Sequence, residues 1–439
     1  MTEVIAVDLG GTSLRVARVA RDGDITRLAT RPHRIGPEAD AESWLAAMFD
    51  GIAEVGTAGI AGLCIGAFTR SQVLTDEAGT PVRPALCFPD TTGLPVPGAE
   101  AGTWMAMTPF HPVARLARLA RDDPASLARA RHLLQPAEFL AMRLTGRPAA
   151  DRIANSWAVT RDGAATTAPL TRAGLDPALL PDLVPPGTPL GAYNGIPVFS
   201  GSMDTWMATI GAGVGAPGDA YLIAGTTDAG GVLTRTPAAR PGLVTLPWGE
   251  QVFHTGGPSA AGGACLDWAA RLLGLPDAAA VIAMAEQAAP ALPLCFVPAL
   301  MGSRAPYWRA EGRGALIGLD MAHGPAEVAR AVVEGIAFAD RDLMGGLPFD
   351  RLVIAGGGAR ADFACQVRAD VMGRPVLRVA GESGLVGAAM LAWRGLGVYP
   401  SIATAQAAMV RHDRVFAPQA GMGYEGMYEG FRRHAAAAE

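Results

Sequence analysis

A short motif near the start of the chain combines an acid, two glycines and a hydroxyl. Asp8 ends an apolar stretch, the chain turns through Gly10, Gly11 and Thr12, and Arg15 follows. Glycines admit positive φ, so successive N–H groups of such a turn can converge on phosphate oxygens, while Asp8 can hold a hydrated Mg²⁺. For this motif alone, an ordinary glycine hairpin with Asp8 accepting turn hydrogen bonds remains an equal alternative.

The same device returns about 215 residues later. An apolar run from Ala220 leads into Gly225, Thr226 and Thr227, and a second apolar run follows. Two matching hairpins predict a pair of phosphate-binding turns in a duplicated fold. They also favour the phosphate interpretation of the first hairpin.

A third glycine cluster follows the apolar run RLVIA. Gly356, Gly357 and Gly358 fit a relaxed dinucleotide fingerprint that ends at Ala361, and Glu382 could serve as its ribose acid. The alternative function is therefore an NAD-dependent oxidoreductase that uses the GGGARA loop. That function would leave both Gly-Thr hairpins unexplained, so it is the weaker hypothesis.

Asp204 follows an apolar run and precedes a stretch of small residues in the motif GSMDTW. Its carboxylate could be a plain helix N-cap. It could instead be a general base that takes a proton from a substrate hydroxyl during attack on a γ-phosphate. Both interpretations stay open at this point.

The composition narrows the chemistry further. The sequence has no lysine, so all 36 basic residues are arginines, and lysine nucleophiles, P-loop lysines and pyridoxal phosphate Schiff bases are excluded. A net charge of −5 without long basic runs argues against nucleic acid or an anionic membrane as partner. The chain lacks an apparent signal peptide and a long apolar stretch, which predicts a cytoplasmic enzyme acting on small molecules.

Hydrophobic patterning predicts an α/β protein of two domains. Strands are expected near 3–7, 13–19 and 25–30, a helix near 40–55, and helical structure throughout 111–145. Later in the chain the pattern gives a helix at 325–342, strands at 351–355 and 376–379, and helices at 361–372 and 384–395. We place the domains at 1–215 and 216–439, facing each other across a cleft.

The segment 298–334 carries a family resemblance. Its run from Gly314 through Gly318 and Glu327 to Glu334 resembles the signature of the FGGY carbohydrate kinases. The preceding GSRAPYW looks like that family's GERxPxW loop, with Ser303 in place of the glutamate. The resemblance extends in order over nearly the whole chain.

The resemblance implies an actin-like fold of two ribonuclease H-like domains and ATP- and Mg²⁺-dependent phosphorylation of a small sugar or polyol. The first domain would bind the sugar and the second the nucleotide. Asp204 would be the catalytic base and Asp8 the metal ligand. The residues expected to bind the nucleotide are Gly11, Thr12, Arg15, Gly225, Thr226, Thr227, Gly356, Gly357 and Gly358.

Substrate choice is where the sequence departs from the family. Arg115 stands where lysine is usual, and the loop 66–90 lacks the motifs of typical xylulokinases and glycerol kinases. A ketopentose such as xylulose is the leading substrate. The residues expected to contact it are Phe68, Thr69, Arg70, Asp90 and Trp206, although Arg70 could be a solvated loop charge and Trp206 a core residue. A catalytically silent sugar-binding protein and a homodimer also stay open.

Overall fold

The computed structural model describes residues 2–290, 293–309 and 311–437. Met1 and residues 438–439, at the ends of the two predicted domains, lie outside this description, as does Ala310 in the segment that carries the family resemblance. The fold is α/β, as predicted. No single helix within the described ranges is long and apolar enough to cross a membrane, although the bent pair of helices at 263–273 and 278–285 passes by length and composition.

The strands come in runs separated by helices, and their buried positions are rich in valine, isoleucine and leucine. In chain order they are β1 (Glu3–Leu9), β2 (Ser13–Ala20), β3 (Ile25–Pro32), β4 (Glu38–Ala39), β5 (Ile60–Ala67), β6 (Val73–Thr75), β7 (Ala85–Leu86), β8 (His132–Leu134), β9 (Ala150–Asp151), β10 (Leu183–Val184), β11 (Pro189–Tyr193), β12 (Ile196–Phe199), β13 (Asp219–Ile223), β14 (Ala229–Thr234), β15 (Val244–Gly249), β16 (Val252–Pro258), β17 (Cys295–Val297), β18 (Ala315–Ile317), β19 (Arg351–Ala355), β20 (Val376–Val379) and β21 (His412–Phe416).

Several of the helices begin with a proline or a side-chain cap, the usual helix start signals. They are α1 (Ala41–Val55), α2 (Pro112–Asp122), α3 (Pro124–Arg129), α4 (Pro136–Thr145), α5 (Ala168–Arg172), α6 (Asp204–Gly211), α7 (Gly263–Leu273), α8 (Ala278–Ala285), α9 (Pro325–Leu343), α10 (Asp362–Met372), α11 (Ser383–Gly395), α12 (Ile402–Met409) and α13 (Tyr424–Ala437). The predicted elements of the C-terminal half are confirmed to within one residue at each end.

The region 111–145 differs from the single helical stretch that the sequence predicted. It forms three helices, and strand β8 lies between the second and third. Proline cannot continue a helix interior, and Pro124 and Pro136 each become the first residue of a new helix. The Asp123 carboxylate caps the second helix by accepting from the N–H of Ser126 at 3.1 Å.

Internal contacts divide the chain into two compact units. The first contains Met1–Gly213 and Glu382–Val410, and the second contains Val214–Gly381 and Arg411–Glu439. The first division falls two residues from the boundary that the sequence suggested. The predicted contiguous second domain differs from the second unit because α11 and α12 pack into the first unit.

The first unit is built on a six-stranded sheet with strand order β11-β12-β5-β1-β2-β3. The first three strands of the chain form antiparallel neighbours, and β1 also pairs in parallel with β5. Helices α1 and α4 contribute to the apolar core of this unit, which includes Trp44, Met48, Phe139 and Leu140. Because β1 lies in the middle of the sheet, between β5 and β2, strands on both sides fix the position of the turn that follows it.

The second unit repeats this plan in a seven-stranded sheet with strand order β15-β16-β14-β13-β19-β20-β21. Here β13 and β14 form the antiparallel hairpin, and β13 pairs in parallel with β19. In both sheets a central strand therefore ends in a glycine turn beside a parallel neighbour. This agreement supports the duplication that the two hairpins predicted.

Glycines let α6 and α11 touch backbone to backbone in the first unit. A Cβ at Gly211 would lie 1.9 Å from the carbonyl oxygen of Ser383, and one at Gly387 would lie 2.0 Å from the carbonyl oxygen of Met207. Real Cβ atoms do not approach oxygen so closely. The contact fixes the start of α11 relative to α6, whose first residue is Asp204.

We expect Gly211→Ala to lower the free energy of unfolding by about 1–3 kcal/mol, because the helices must separate to admit the methyl group. Gly426→Ala is the matched control, since a Cβ there meets nothing within 4 Å. That change should leave the protein equally stable or stabilise it by up to about 1 kcal/mol. Urea unfolding of both variants is the measurement, and equal effects would contradict the close-packing account.

Candidate active site

The antiparallel register of the first hairpin sets Arg15 directly across from Asp8. The Asp8 side chain is buried, and its Oδ2 accepts from Arg15 Nη2 at 2.5 Å. Burial raises the pKa of Asp8, and the neighbouring Arg15 charge opposes that rise. The positive charge of the guanidinium thus offsets part of the cost of burying the negative charge of Asp8.

A second acid shares the same arginine. Arg15 Nη1 donates to a carboxylate oxygen of Glu382, the residue that precedes α11. A Cβ at Gly384 would lie 2.7 Å from Asp8 Oδ2, so the first turn of α11 runs against the Asp8 carboxylate. Glu382 was a candidate for the ribose acid of a dinucleotide site. In the structure its carboxylate instead pairs with Arg15.

The first glycine turn is held by its own backbone and by His33. The N–H of Gly10 donates to the carbonyl of Ser13 at 2.9 Å, and the His33 ring contacts the carbonyl of Gly10 at 2.9 Å. Gly11 is half-buried and Thr12 is exposed. Thr12 is therefore accessible to solvent in the turn that joins β1 to β2.

Asp204 is the first residue of α6 rather than its N-cap, which is Met203. Its Oδ1 accepts from the N–H of Thr205 at 2.6 Å and from the Thr205 hydroxyl at 3.2 Å. Asp204 is half-buried, and its removal from water together with the negative charge of Asp8 raises its pKa to about 6. A base with this proton affinity is suited to accept a hydroxyl proton near neutral pH.

Two buried acids that were not predicted from the sequence, Asp151 and Glu138, are connected to the segment just before Asp204. The Ser202 hydroxyl donates to Asp151 Oδ2 at 2.6 Å, and Glu138 Oε1 accepts from the N–H of Asp151 at 2.7 Å. Burial raises the pKa of Asp151 to about 6 and that of Glu138 to about 8. The capping pattern of Gln135 and Glu138 at the start of α4 was the available sequence signal, but it indicates a helix start rather than a buried network.

Residues of the predicted sugar loop line a small cavity. The cavity has about 10 Å³ of room, enough for one water molecule, and its lining includes Phe68, Thr69, Glu138, Asp151 and Met203. The Thr69 hydroxyl lies 3.5 Å from Gln135 Oε1. Phe68 is 3% exposed and packs edge-on against Trp44 with ring centroids 5.3 Å apart.

The remaining predicted sugar residues, Arg70, Asp90 and Trp206, differ in how deeply they are buried. Arg70 is half-buried and has a φ of 57°, in the left-handed region. Asp90 is buried, its Oδ2 accepts from Arg118 at 3.1 Å, and hydrogen bonds from Thr92 help to lower its pKa despite burial. Trp206 is 3% exposed, which agrees with the alternative that it is a core residue.

Arg115, at the usual lysine position, is fully buried and anchors this loop. Its Nη1 donates to the carbonyl of Arg70, and its Nη2 donates to the carbonyl of Asp90 at 2.7 Å. Burial lowers the pKa of Arg115 to about 10. From the sequence, Arg115 was only a departure from the family, and its hold on both ends of the loop could not be predicted.

The second unit brings its two glycine turns side by side. The N–H of Gly358 donates to the carbonyl of Ala224 at 3.0 Å, and a Cβ at Gly356 would lie 2.4 Å from that oxygen. Thr226 and Gly357 are exposed at this edge, and Gly225 and Thr227 are half-buried. Exposed hydroxyls and glycine backbone suit the phosphates of a nucleotide, which need donors and close approach.

The chemistry of the donor set also suits Mg²⁺ in the first unit. Magnesium is commonly held by one or two carboxylates together with water and substrate phosphates, and Asp8 supplies one such carboxylate at the end of β1. Throughout residues 2–290, 293–309 and 311–437, no group of three or more acids, histidines or cysteines could form a metal site made of protein ligands alone.

Comparison with known proteins agrees with this geometry. The description "FGGY family of carbohydrate kinases, C-terminal domain" matches residues 220–396. Xylulose kinase from Escherichia coli (strain K12) is 30% identical over 438 residues, covering 88% of this chain and 89% of that protein. The chain belongs to the FGGY family of carbohydrate kinases.

Solved structures agree with the fold of an FGGY kinase. The ligand-bound xylulose kinase from Lactobacillus acidophilus superposes with a TM-score of 0.90 at 22% identity and covers 100% of this chain and 99% of its own. Gluconate kinase from the same organism gives 0.89 at 21% identity, with coverage of 99% and 98%. The predicted actin-like fold and kinase activity are confirmed, and nothing supports the oxidoreductase alternative.

We expect kcat/KM of this FGGY kinase for its sugar to fall tenfold for each pH unit below about pH 6. Asp204 can accept a proton only when ionised, and its pKa is raised to about 6, so acidification protonates it. Initial rates between pH 5 and 8 at saturating Mg²⁺ and ATP are the measurement. A rate constant that stays level down to pH 5 would contradict the assignment.

Proposed function

We propose that this carbohydrate kinase phosphorylates a ketopentose such as xylulose, with Asp204 as the general base and ATP with Mg²⁺ as the phosphoryl donor. The observation that carries the proposed base is the half-buried Asp204 carboxyl at the first residue of α6, whose pKa is raised to about 6 by burial and by the charge of Asp8. The 30% identity to a xylulose kinase over most of both chains supports the substrate class.

The chain's own residues divide the work. Asp204 takes the proton of the attacking hydroxyl at its carboxylate, which makes that oxygen a better nucleophile. Arg15 supplies positive charge beside Asp8, and Asp8 would hold the metal. Mg²⁺, when bound, supplies the charge neutralisation that phosphoryl transfer needs.

The nucleotide phosphates are assigned to the turns of the second unit. Thr226 and Thr227 offer hydroxyls, and Gly225 with Gly356–Gly358 offers backbone that a ligand can approach closely. With no lysine in the chain, neutralisation of the triphosphate falls to arginine, backbone N–H groups and the metal. In the first unit, Gly11 and Thr12 form a turn of the same type and are assigned to phosphate as well.

We expect Asp204→Asn to lower kcat by about 10²–10⁴ while the affinity for ATP changes little, because asparagine keeps the shape of aspartate but cannot accept the proton. Asp277→Asn is the control: Asp277 is an exposed cap of α8, and asparagine caps a helix equally well. Steady-state rates with xylulose and a separate ATP titration are the measurements. Near wild-type kcat in Asp204→Asn would refute the proposed base.

The substrate class can be tested through Arg70. Removing a hydrogen bond from a charged donor costs about 1.5–3 kcal/mol, so Arg70→Ala should raise KM for xylulose by roughly one to two orders of magnitude. A substrate with a carboxylate, such as gluconate, should lose more because it also loses an ion pair. Arg121→Ala removes an exposed arginine paired with Asp122 and should leave both KM values unchanged.

The comparison of xylulose, glycerol and gluconate as substrates of the wild-type enzyme decides the class directly. The proposal predicts the highest kcat/KM for xylulose. A higher value for gluconate, together with a larger loss in Arg70→Ala, would assign the enzyme to sugar acids instead. Unchanged sugar KM with weakened ATP binding in Arg70→Ala would move Arg70 to the phosphates.

A further inference from the structure

A buried charge cluster lies directly beneath the second glycine turn. Asp228 ends the turn, Asp340 lies on α9 and Arg368 lies on α10. The three residues are 1%, 0% and 5% exposed. No local sequence pattern connects them, since Arg368 lies 140 residues after Asp228 and 28 residues after Asp340.

One guanidinium connects the two acids. Arg368 Nη2 lies 3.1 Å from Asp228 Oδ2, and Arg368 Nε lies 2.8 Å from Asp340 Oδ2. Asp340 therefore holds one edge of the guanidinium while another edge is directed at the turn. A planar arginine fork suits this two-sided geometry better than a single-point charge would.

The cluster reaches the backbone of the turn through Asp228. Its Oδ1 accepts from the N–H of Gly225 at 3.1 Å, so the carboxylate links Arg368 to the first residue of the turn. A Cβ at Gly262 would lie 2.7 Å from the same oxygen, which leaves the carboxylate little room to move. The path from α9 to the turn thus runs through charged hydrogen bonds at each step.

Two carboxyls and one guanidinium leave an imbalance of charge in a site removed from water. Burial raises the pKa of both Asp228 and Asp340, and the charge of Asp340 raises that of Asp228 further. Arg368 is the cation that directly contacts both acids. Its loss would leave two buried acids without that partner, a costly arrangement that the turn could relieve by moving.

We propose that Asp340, Arg368 and Asp228 are positioning residues that hold the Gly225–Thr227 turn in the conformation that receives the nucleotide phosphates. None of the three needs to touch the nucleotide. Arg368 orients Asp228, and Asp228 in turn orients the N–H of Gly225 and the hydroxyls that follow it. This inference rests on the proposed function, in which the turn binds phosphate.

The test is the affinity for ADP, measured by titration calorimetry on the full chain with Mg²⁺. Arg368→Gln should weaken ADP binding at least tenfold and leave the dissociation constant of xylulose within twofold. Arg330→Gln is the matched control, since Arg330 is also a buried arginine, paired with Glu334 at 2.6 Å and with Tyr424 at 2.7 Å. It should lose comparable stability but keep its ADP affinity.

Two milder variants test the same path if Arg368→Gln does not fold. In Asp340→Asn the amide can still accept from Arg368 and can donate to Asp228, so ADP affinity should be retained. In Asp228→Asn the amide cannot serve both Arg368 and Gly225 as an acceptor in the way a carboxylate can, so ADP should bind at least tenfold more weakly. Equal ADP affinities in these two variants would overturn the inference.

The outcomes also separate this inference from the proposed function. A wild-type chain that failed to bind ADP would overturn the nucleotide site and this inference with it. Wild-type binding together with unchanged affinity in Arg368→Gln would overturn the positioning role alone. Equal weakening in Arg368→Gln and Arg330→Gln would show a general loss of stability and would likewise refute the specific path.

Discussion

The arrangement of the candidate active site depends on one guanidinium shared between two acids. Arg15 contacts both Asp8, at the end of the central strand β1, and Glu382, at the start of α11. Burying a carboxylate disfavours its charged form, and the Arg15 guanidinium offsets part of that cost for Asp8. The charge of Asp8 acts on Asp204, and its effect adds to burial in raising the proton affinity of that carboxyl.

Buried arginines perform related tasks elsewhere in this lysine-free chain. Arg115 holds the carbonyls of the predicted sugar loop, and Arg368 joins two acids beneath the second glycine turn. Each uses several N–H donors of one planar group toward separate partners, which a lysine ammonium cannot match in geometry. The backbone near the proposed ligands is therefore anchored by charge-assisted hydrogen bonds as well as by apolar packing.

Local features were predictable from the sequence because they depend on nearby residues. The glycine turns and the elements from α9 to α11 follow from apolar periodicity and turn chemistry. The region 111–145 was predicted wrongly because the leucine pattern was given more weight than Pro124 and Pro136. Contacts between distant residues left no such pattern. Arg15 and Glu382 are 367 positions apart, and nothing in either motif indicated the other.

The protonation of Asp204 is the most direct test of this account, because both its burial and its proximity to Asp8 enter into it. Carbon-13 NMR of the protein labelled at the aspartate carboxyl carbons would follow that group without any substrate, and Asp204→Asn would identify its resonance. The account predicts a midpoint near pH 6. A midpoint near 4, the ordinary value for aspartate, would contradict it.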